Sequence, residues 1–120
     1  IMGYLAMRLA DDSPHISGLV DTIVDDAAGY MAEGVGLGLF TPTPNERHRA
    51  AMMTVFALGS LVMHRHLRRL LDVDIRAADL AAQPGFPDYL RVQMEVFSSV
   101  VTPSVLAQYA AALDTLQEES

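Results

Sequence analysis

Residues 50–63, which read AAMMTVFALGSLVM, contain no charged side chain. Their apolar side chains fall on every face of a helix, whereas a surface helix carries a single apolar stripe. The stretch is too short to cross a bilayer, which takes about 20 residues. A chain that contains it must therefore cover one helix on more than one side.

Composition narrows the class of protein. The chain has 120 residues and a formal net charge of −7, which fits one domain. An acidic chain is a poor non-specific DNA binder, because phosphate affinity comes from clustered Lys and Arg. The absence of cysteine excludes disulfides, thiolate metal sites and cysteine nucleophiles. The first residues, IMGYLAMRLADD, resemble a helix interior rather than a signal peptide, so we expect a cytoplasmic protein without membrane contact.

The starts of several helices are marked by a hydroxyl residue followed by proline, which supplies an N-cap and a first helical residue. These pairs are Ser13-Pro14, Thr43-Pro44 and Thr102-Pro103. Glu46 completes the pattern of a capping box with Thr43. Between the starts, apolar residues recur every three or four positions, and no β-type alternation of useful length appears. The predicted helices span 1–10, 15–33, 44–71, 75–81, 87–101 and 103–117. We predict an all-α bundle of about six helices in one domain over 1–120.

The helix predicted over 87–101 also has two apolar stripes. Leu90, Met94, Phe97 and Val101 form one stripe, and Tyr89, Val92, Val96 and Val100 form the other. Two such helices are hard to cover within so short a chain, so we expect one face of each to meet a second copy. The alternative is that they lie at the centre of a monomer.

A basic cluster, LVMHRHLRRLLD, closes the long helix at 61–72. His64 and His66 lie two positions apart, about 200° around a helix, so they cannot hold one metal ion. The acidic chain and the absence of interleaved aromatic residues argue against nucleic-acid binding. Basic side chains stabilise the negative end of a helix by about 0.3–1 kcal/mol each. We therefore interpret the cluster as the basic C-terminal end of the helix.

Catalytic patterns are missing from the sequence. It contains no His-Glu-x-x-His motif, nucleophile elbow or phosphate loop. The glycine-rich residues 34–40 follow a helix rather than a strand, so we predict a helix stop with a left-handed glycine. We predict no enzyme activity, no cofactor and no metal. The seven methionines suit an interior that adapts to apolar ligands, although ordinary core filling explains any one of them equally well.

The segments YLAMRLADDSP, LVDTIVDDAAGYMAEGVGLGLF and NERHRAAMMTVFALGSLVMHRHLRRLLDVD, in this order, resemble the C-terminal regulatory domain of TetR-family transcriptional repressors of the actinobacterial type. The resemblance implies a preceding helix-turn-helix domain, which these residues do not contain, and DNA binding only through that domain. It also implies a small-molecule pocket among the helices. Two long late helices are expected to form a four-helix interface in a homodimer.

The resemblance implies that one stripe of the helix over 44–71 lines the ligand pocket and that the other meets the partner, together with residues of neighbouring helices. The predicted ligand-binding residues are Tyr30, Met31, Met52, Phe56 and Met63. The predicted dimer-interface residues are Leu58, Leu61, Val62, Arg65, Leu90, Met94 and Phe97. The spacing leaves open which face of this helix lines the pocket and which meets the partner. The expected function is allosteric control of DNA binding by a small hydrophobic effector. The alternative is a small all-α dimeric carrier or enzyme unrelated to transcription.

Overall fold

The computed structural model describes residues 7–9 and 13–119. Its α-helices are α1 (Pro14–Gly36), α2 (Glu46–Val62), α3 (His64–Leu71), α4 (Phe86–Val96) and α5 (Pro103–Glu119). A 3-10 helix spans Leu80–Ala82. Residues 7 and 8 are helical, and the rest of the helix predicted over 1–10 lies outside the described residues. The described residues contain no strand beyond one isolated bridge, so the all-α prediction is confirmed.

The start of α1 carries the capping signal that its sequence predicts. The Ser13 hydroxyl accepts a hydrogen bond from the Ile16 amide at 3.4 Å, and Pro14 occupies the first turn. The helix continues to Gly36, three residues beyond the predicted end. Gly38 then adopts a φ of +76°, a left-handed conformation that glycine reaches without steric cost.

The capping box predicted at the start of α2 does not form. The Thr43 hydroxyl accepts from the Asn45 amide at 3.2 Å instead, and the helix begins at Glu46. Arg49, one turn later, donates to the Glu46 carboxylate at 2.8 Å and to the Thr41 carbonyl at 2.6 Å. A charge-assisted bond is stronger than one to a neutral amide, so Glu46 pairs with arginine rather than reaching back.

The prediction of one continuous helix over 44–71 is wrong, because the helix breaks at Met63. This residue has φ −93° and ψ 17°, outside the helical range, and separates α2 from α3. Gly59 and Ser60 lie one turn earlier, and the Ser60 hydroxyl donates to the Phe56 carbonyl at 2.9 Å. Gly/Ser pairs and such back-bonding hydroxyls bend helices, which accounts for the position of the break.

The prediction of a helix over 75–81 is also wrong, since only the 3-10 helix Leu80–Ala82 forms in this region. The side-chain amide of Gln83 holds this loop together. Its oxygen accepts from the Asp74 amide at 2.8 Å, and its nitrogen donates to the Asp74 carbonyl at 3.0 Å. One side chain therefore satisfies both backbone groups of a residue nine positions earlier.

The helix predicted over 87–101 ends early, at Val96. Beyond it the chain pairs with the segment that follows α1. The Thr41 amide donates to the Val100 carbonyl at 2.7 Å, and the Thr102 amide donates to the Leu39 carbonyl at 3.1 Å. The Thr102 hydroxyl donates to the Gly38 carbonyl at 2.9 Å. This hydrogen bond joins two segments that are distant in sequence, whereas Thr102 was predicted only as an N-cap.

The core lies where α1 packs along α2. Met31, Ala50 and Val100 are buried together, with Phe40 and Phe97 packed against them. Ion pairs supplement this packing: Arg47 pairs with Asp25 between α2 and α1, and Arg91 pairs with Asp114 between α4 and α5 at 3.0 Å.

The described residues form a flat molecule. Its principal extents are 47 × 36 × 19 Å, and the shortest of these has room for two layers of helices about 10 Å wide. The radius of gyration is 15.7 Å, whereas a compact chain of this length would have roughly 13–14 Å. A helix in two layers is covered on one side only, so an all-round apolar helix leaves one face outside.

Asp72 is the position at which a substitution should stabilise the fold. It ends α3 in the left-handed region, with φ 55°, and a negative charge at the C-terminal end of a helix is unfavourable. We expect Asp72→Gly to raise the free energy of unfolding in urea by about 0.5–1 kcal/mol, because glycine reaches this conformation without strain. Asp79→Gly, at an ordinary negative φ, serves as the control and should not stabilise. An Asp72→Gly variant no more stable than the parent would contradict this account.

Candidate functional site

An exposed apolar face runs along α2. Met52, Val55 and Phe56 follow helical spacing on its outer side, and Val55 is 60 % exposed. On α4, Val92 and Val96 are spaced in the same way, and Val96 is 68 % exposed. We call these five residues the apolar face. Single exposed apolar residues are normal on a surface, whereas a row of them on neighbouring helices usually marks association.

A ring contact brings the two parts of the apolar face together. The Phe56 and Phe97 ring centroids lie 5.9 Å apart at an interplanar angle of 46°, within the range of favourable aromatic pairs. Phe97 directly follows α4 and also packs on the core, so the contact holds the end of α4 beside the middle of α2. The opposite side of α2 carries the buried Ala50 and Thr54, whose hydroxyl donates to the Ala50 carbonyl at 2.8 Å.

The structure does not bring the predicted ligand-binding residues together. Met31 is buried in the core beneath α2, while Tyr30, the next residue on α1, is 72 % exposed. Met52 and Phe56 lie on the apolar face. Met63 occupies the helix break and lines a surface cleft. Helical spacing connected Met52, Phe56 and Met63, but it did not distinguish the inner side of the helix from the outer side.

The predicted interface residues divide between two environments. Val62 and Arg65 are exposed, next to the helix break. The others are half-buried against the chain itself, and these are Leu58, Leu61, Leu90, Met94 and Phe97. Val92 and Val96, the exposed apolar residues of α4, were not selected from the sequence as interface residues. The second apolar stripe of that helix was the signal that contained them.

An apolar groove lies between α5 and the segment that follows α1. Its volume is about 470 Å³, within the range of ligand pockets. Its lining is Leu39, Phe40, Val101, Val105, Gln108, Tyr109 and Ala112. The polar groups of Gln108 and Tyr109 therefore stand in an otherwise apolar wall, as in sites that orient a small molecule.

A second cleft opens at the break between α2 and α3. Its volume is about 460 Å³, and its lining is Met7, Val62, Met63, His64, Arg65, His66 and Arg76. Partial burial and the neighbouring Arg76 and Arg65 lower the pKa of His64 from 6.5, against an opposing effect of Asp74. Among residues 7–9 and 13–119, no group of three His, Asp or Glu side chains is placed to hold a metal ion.

Within the described part of the chain, no helix is long and apolar enough to cross a membrane. In comparisons with known proteins, residues 1–105 match the family model of the tetracyclin repressor-like C-terminal domain. The match includes α1 to α4 and the first residues of α5, so most of α5 lies beyond it. No curated protein and no solved structure matches the chain.

Proposed function

The chain belongs to the tetracyclin repressor-like C-terminal domain family, and from this premise we propose that it is the dimerisation and effector-binding domain of a transcriptional regulator. An effector that binds two dimer arrangements with different affinity would shift the spacing of DNA-binding domains outside this chain. Such a regulator works beside the chromosome, in the cytoplasm. Family membership favours this reading over the carrier or enzyme alternative.

The apolar face is the observation that supports dimerisation most strongly. It belongs to the two helices whose apolar residues exceed what a two-layer molecule can cover. In a symmetric dimer the same face of each copy covers the other, which removes both from water at once. We therefore assign Met52, Val55 and Phe56 to the partner, although the sequence analysis placed Met52 and Phe56 in the ligand pocket.

Charge substitution on the apolar face tests dimerisation. We expect Val96→Asp to weaken the dimer at least 100-fold, because a carboxylate buried in an apolar interface loses its hydration without gaining a partner. Leu37→Asp is the matched control, since Leu37 is 75 % exposed on the turn after α1 and does not belong to the apolar face. The dissociation constants are measured by sedimentation over a range of concentrations. Equal dimerisation of both variants would contradict the assignment.

We place the apolar effector in the groove between α5 and residues 39–40, since its wall combines apolar side chains with Gln108 and Tyr109. Thermal shifts against a panel of uncharged lipophilic compounds test this. A compound that stabilises the parent chain should no longer stabilise Ala112→Phe, in which the ring fills the groove. Ala111→Phe adds the same ring to an exposed position of α5 outside the lining and should keep the shift. If no compound raises the melting temperature, the effector-binding half of the proposal is wrong.

A further inference from the structure

The cleft at the break between α2 and α3, which we call the basic cleft, combines two kinds of lining. Met7, Val62 and Met63 provide apolar surface, and Met63 is 53 % exposed. His64, Arg65, His66 and Arg76 provide positive or protonatable groups, and none of the described residues in the lining is an Asp or a Glu. The break at Met63 creates this combination, because it joins the apolar end of α2 to the basic start of α3.

The charge of the basic cleft stands out from that of the chain. The chain carries −7 overall, yet two of its eight arginines, Arg65 and Arg76, line the basic cleft. Asp74 lies 3.4 Å from the Arg76 guanidinium and offsets part of its charge. Arg65 is exposed, and no carboxylate lies within ion-pair distance of it among the described residues. Partial burial is the largest cause of the lowered pKa of His64, and the neighbouring Arg76 and Arg65 add to it against the opposing effect of Asp74.

These features specify a ligand class. An arginine guanidinium offers parallel donors that match a carboxylate, and such charge-assisted bonds are among the stronger hydrogen bonds in proteins. The apolar surface beside it would cover an alkyl or aryl body, and the cavity of about 460 Å³ has the size of a small-molecule site. We propose that the basic cleft binds a small amphiphilic carboxylate, with its head on Arg65 and its apolar body against Val62 and Met63.

This site is separate from the groove that we assign to an uncharged effector, and the two share no lining residue. Binding to the basic cleft is measured directly on the chain. Failure of that binding would leave the dimer and groove experiments unchanged, and failure of those experiments would leave this one interpretable.

Decanoate is the probe, used below its micelle concentration, and decanol is the uncharged probe with the same chain length. Titration calorimetry should show saturable binding of decanoate to the parent chain. We expect Arg65→Gln to weaken it at least 10-fold, as for loss of one charge-assisted bond. The control, Arg68→Gln, removes the same charge from α3, but Arg68 lines a different cavity together with Asp72 and Asp79. It should change the affinity less than twofold. The weak binding of decanol should not distinguish the parent from Arg65→Gln.

Three results would overturn the proposal. The first is the absence of saturable decanoate binding. The second is an equal loss in Arg65→Gln and Arg68→Gln, which would show attraction to general surface charge. The third is co-sedimentation of the chain with phosphatidylglycerol vesicles at lipid concentrations at which the same concentration of free decanoate does not bind. This result would indicate that the cleft binds a lipid surface. Met63→Gln provides an independent variant should Arg65→Gln lose its helical circular dichroism, and it should weaken decanoate through the apolar part of the site.

Discussion

Adding one methyl group at Gly34 should destabilise the chain, whereas the same addition at Gly29 should stabilise it. Both glycines lie in α1. A Cβ at Gly34 would overlap the Phe40 ring, while nothing lies within 4 Å of a Cβ at Gly29. Overpacking costs about 1–3 kcal/mol, so Gly34→Ala should lower the free energy of unfolding by this amount. Gly29→Ala should raise it by about 0.5–1 kcal/mol through helix propensity.

Urea denaturation at one fixed protein concentration measures both changes, because the proposed dimerisation would make stability depend on concentration. Trimming the ring in a Gly34→Ala, Phe40→Leu double variant should cost less than the sum of the two single changes. Stabilisation by alanine at both glycines would mean that Phe40 does not pack over Gly34.

Removing the side chain of Gln83 should have the second large effect on stability. Gln83→Ala deletes both hydrogen bonds to the Asp74 backbone and leaves the half-buried Asp74 amide without a partner, while the Asp74 carbonyl keeps its bond from the Ala77 amide at 3.2 Å. We expect a loss of about 1–3 kcal/mol, the range for one unsatisfied buried polar group. The same substitution at Gln108, an exposed residue of α5, should change stability by less than about 0.5 kcal/mol.

Gln83→Glu separates the two hydrogen bonds. A carboxylate keeps the acceptor for the Asp74 amide but loses the donor to the Asp74 carbonyl, so an intermediate loss is expected near neutral pH. Protonation of the new carboxyl restores a donor, so part of this loss should be recovered as the pH falls towards 4. A Gln83→Ala variant as stable as the parent would show that the loop is held by other contacts.

Helix type and most helix starts were predictable from the sequence because their causes are local. The Ser13-Pro14 start needs only a hydroxyl and a fixed φ within four residues, and the structure contains it. The break at Met63 was missed, although its signal, Gly59-Ser60, is also local. The same pair also permits the close approach of another backbone, so its presence in the sequence does not by itself identify a bend.

The remaining errors come from contacts between distant segments. The early end of α4 follows from pairing of Val100 with Thr41, about 60 residues away, and the loop before α4 depends on Gln83 reaching Asp74. Spacing within one helix does not reveal such partners. The spacing also predicts two apolar stripes on α2 without indicating which one α1 covers. Only the structure shows that Met31 lies against the covered side of α2 and that Met52 lies on the exposed side.

The central claim is that two copies of this chain cover each other's apolar face. Sedimentation equilibrium of the unmodified chain tests it most directly, because the mass of one copy is 13.0 kDa. We predict a single species of twice that mass that persists into the low micromolar range and dissociates only on further dilution. A species of 13.0 kDa at tens of micromolar would contradict the claim.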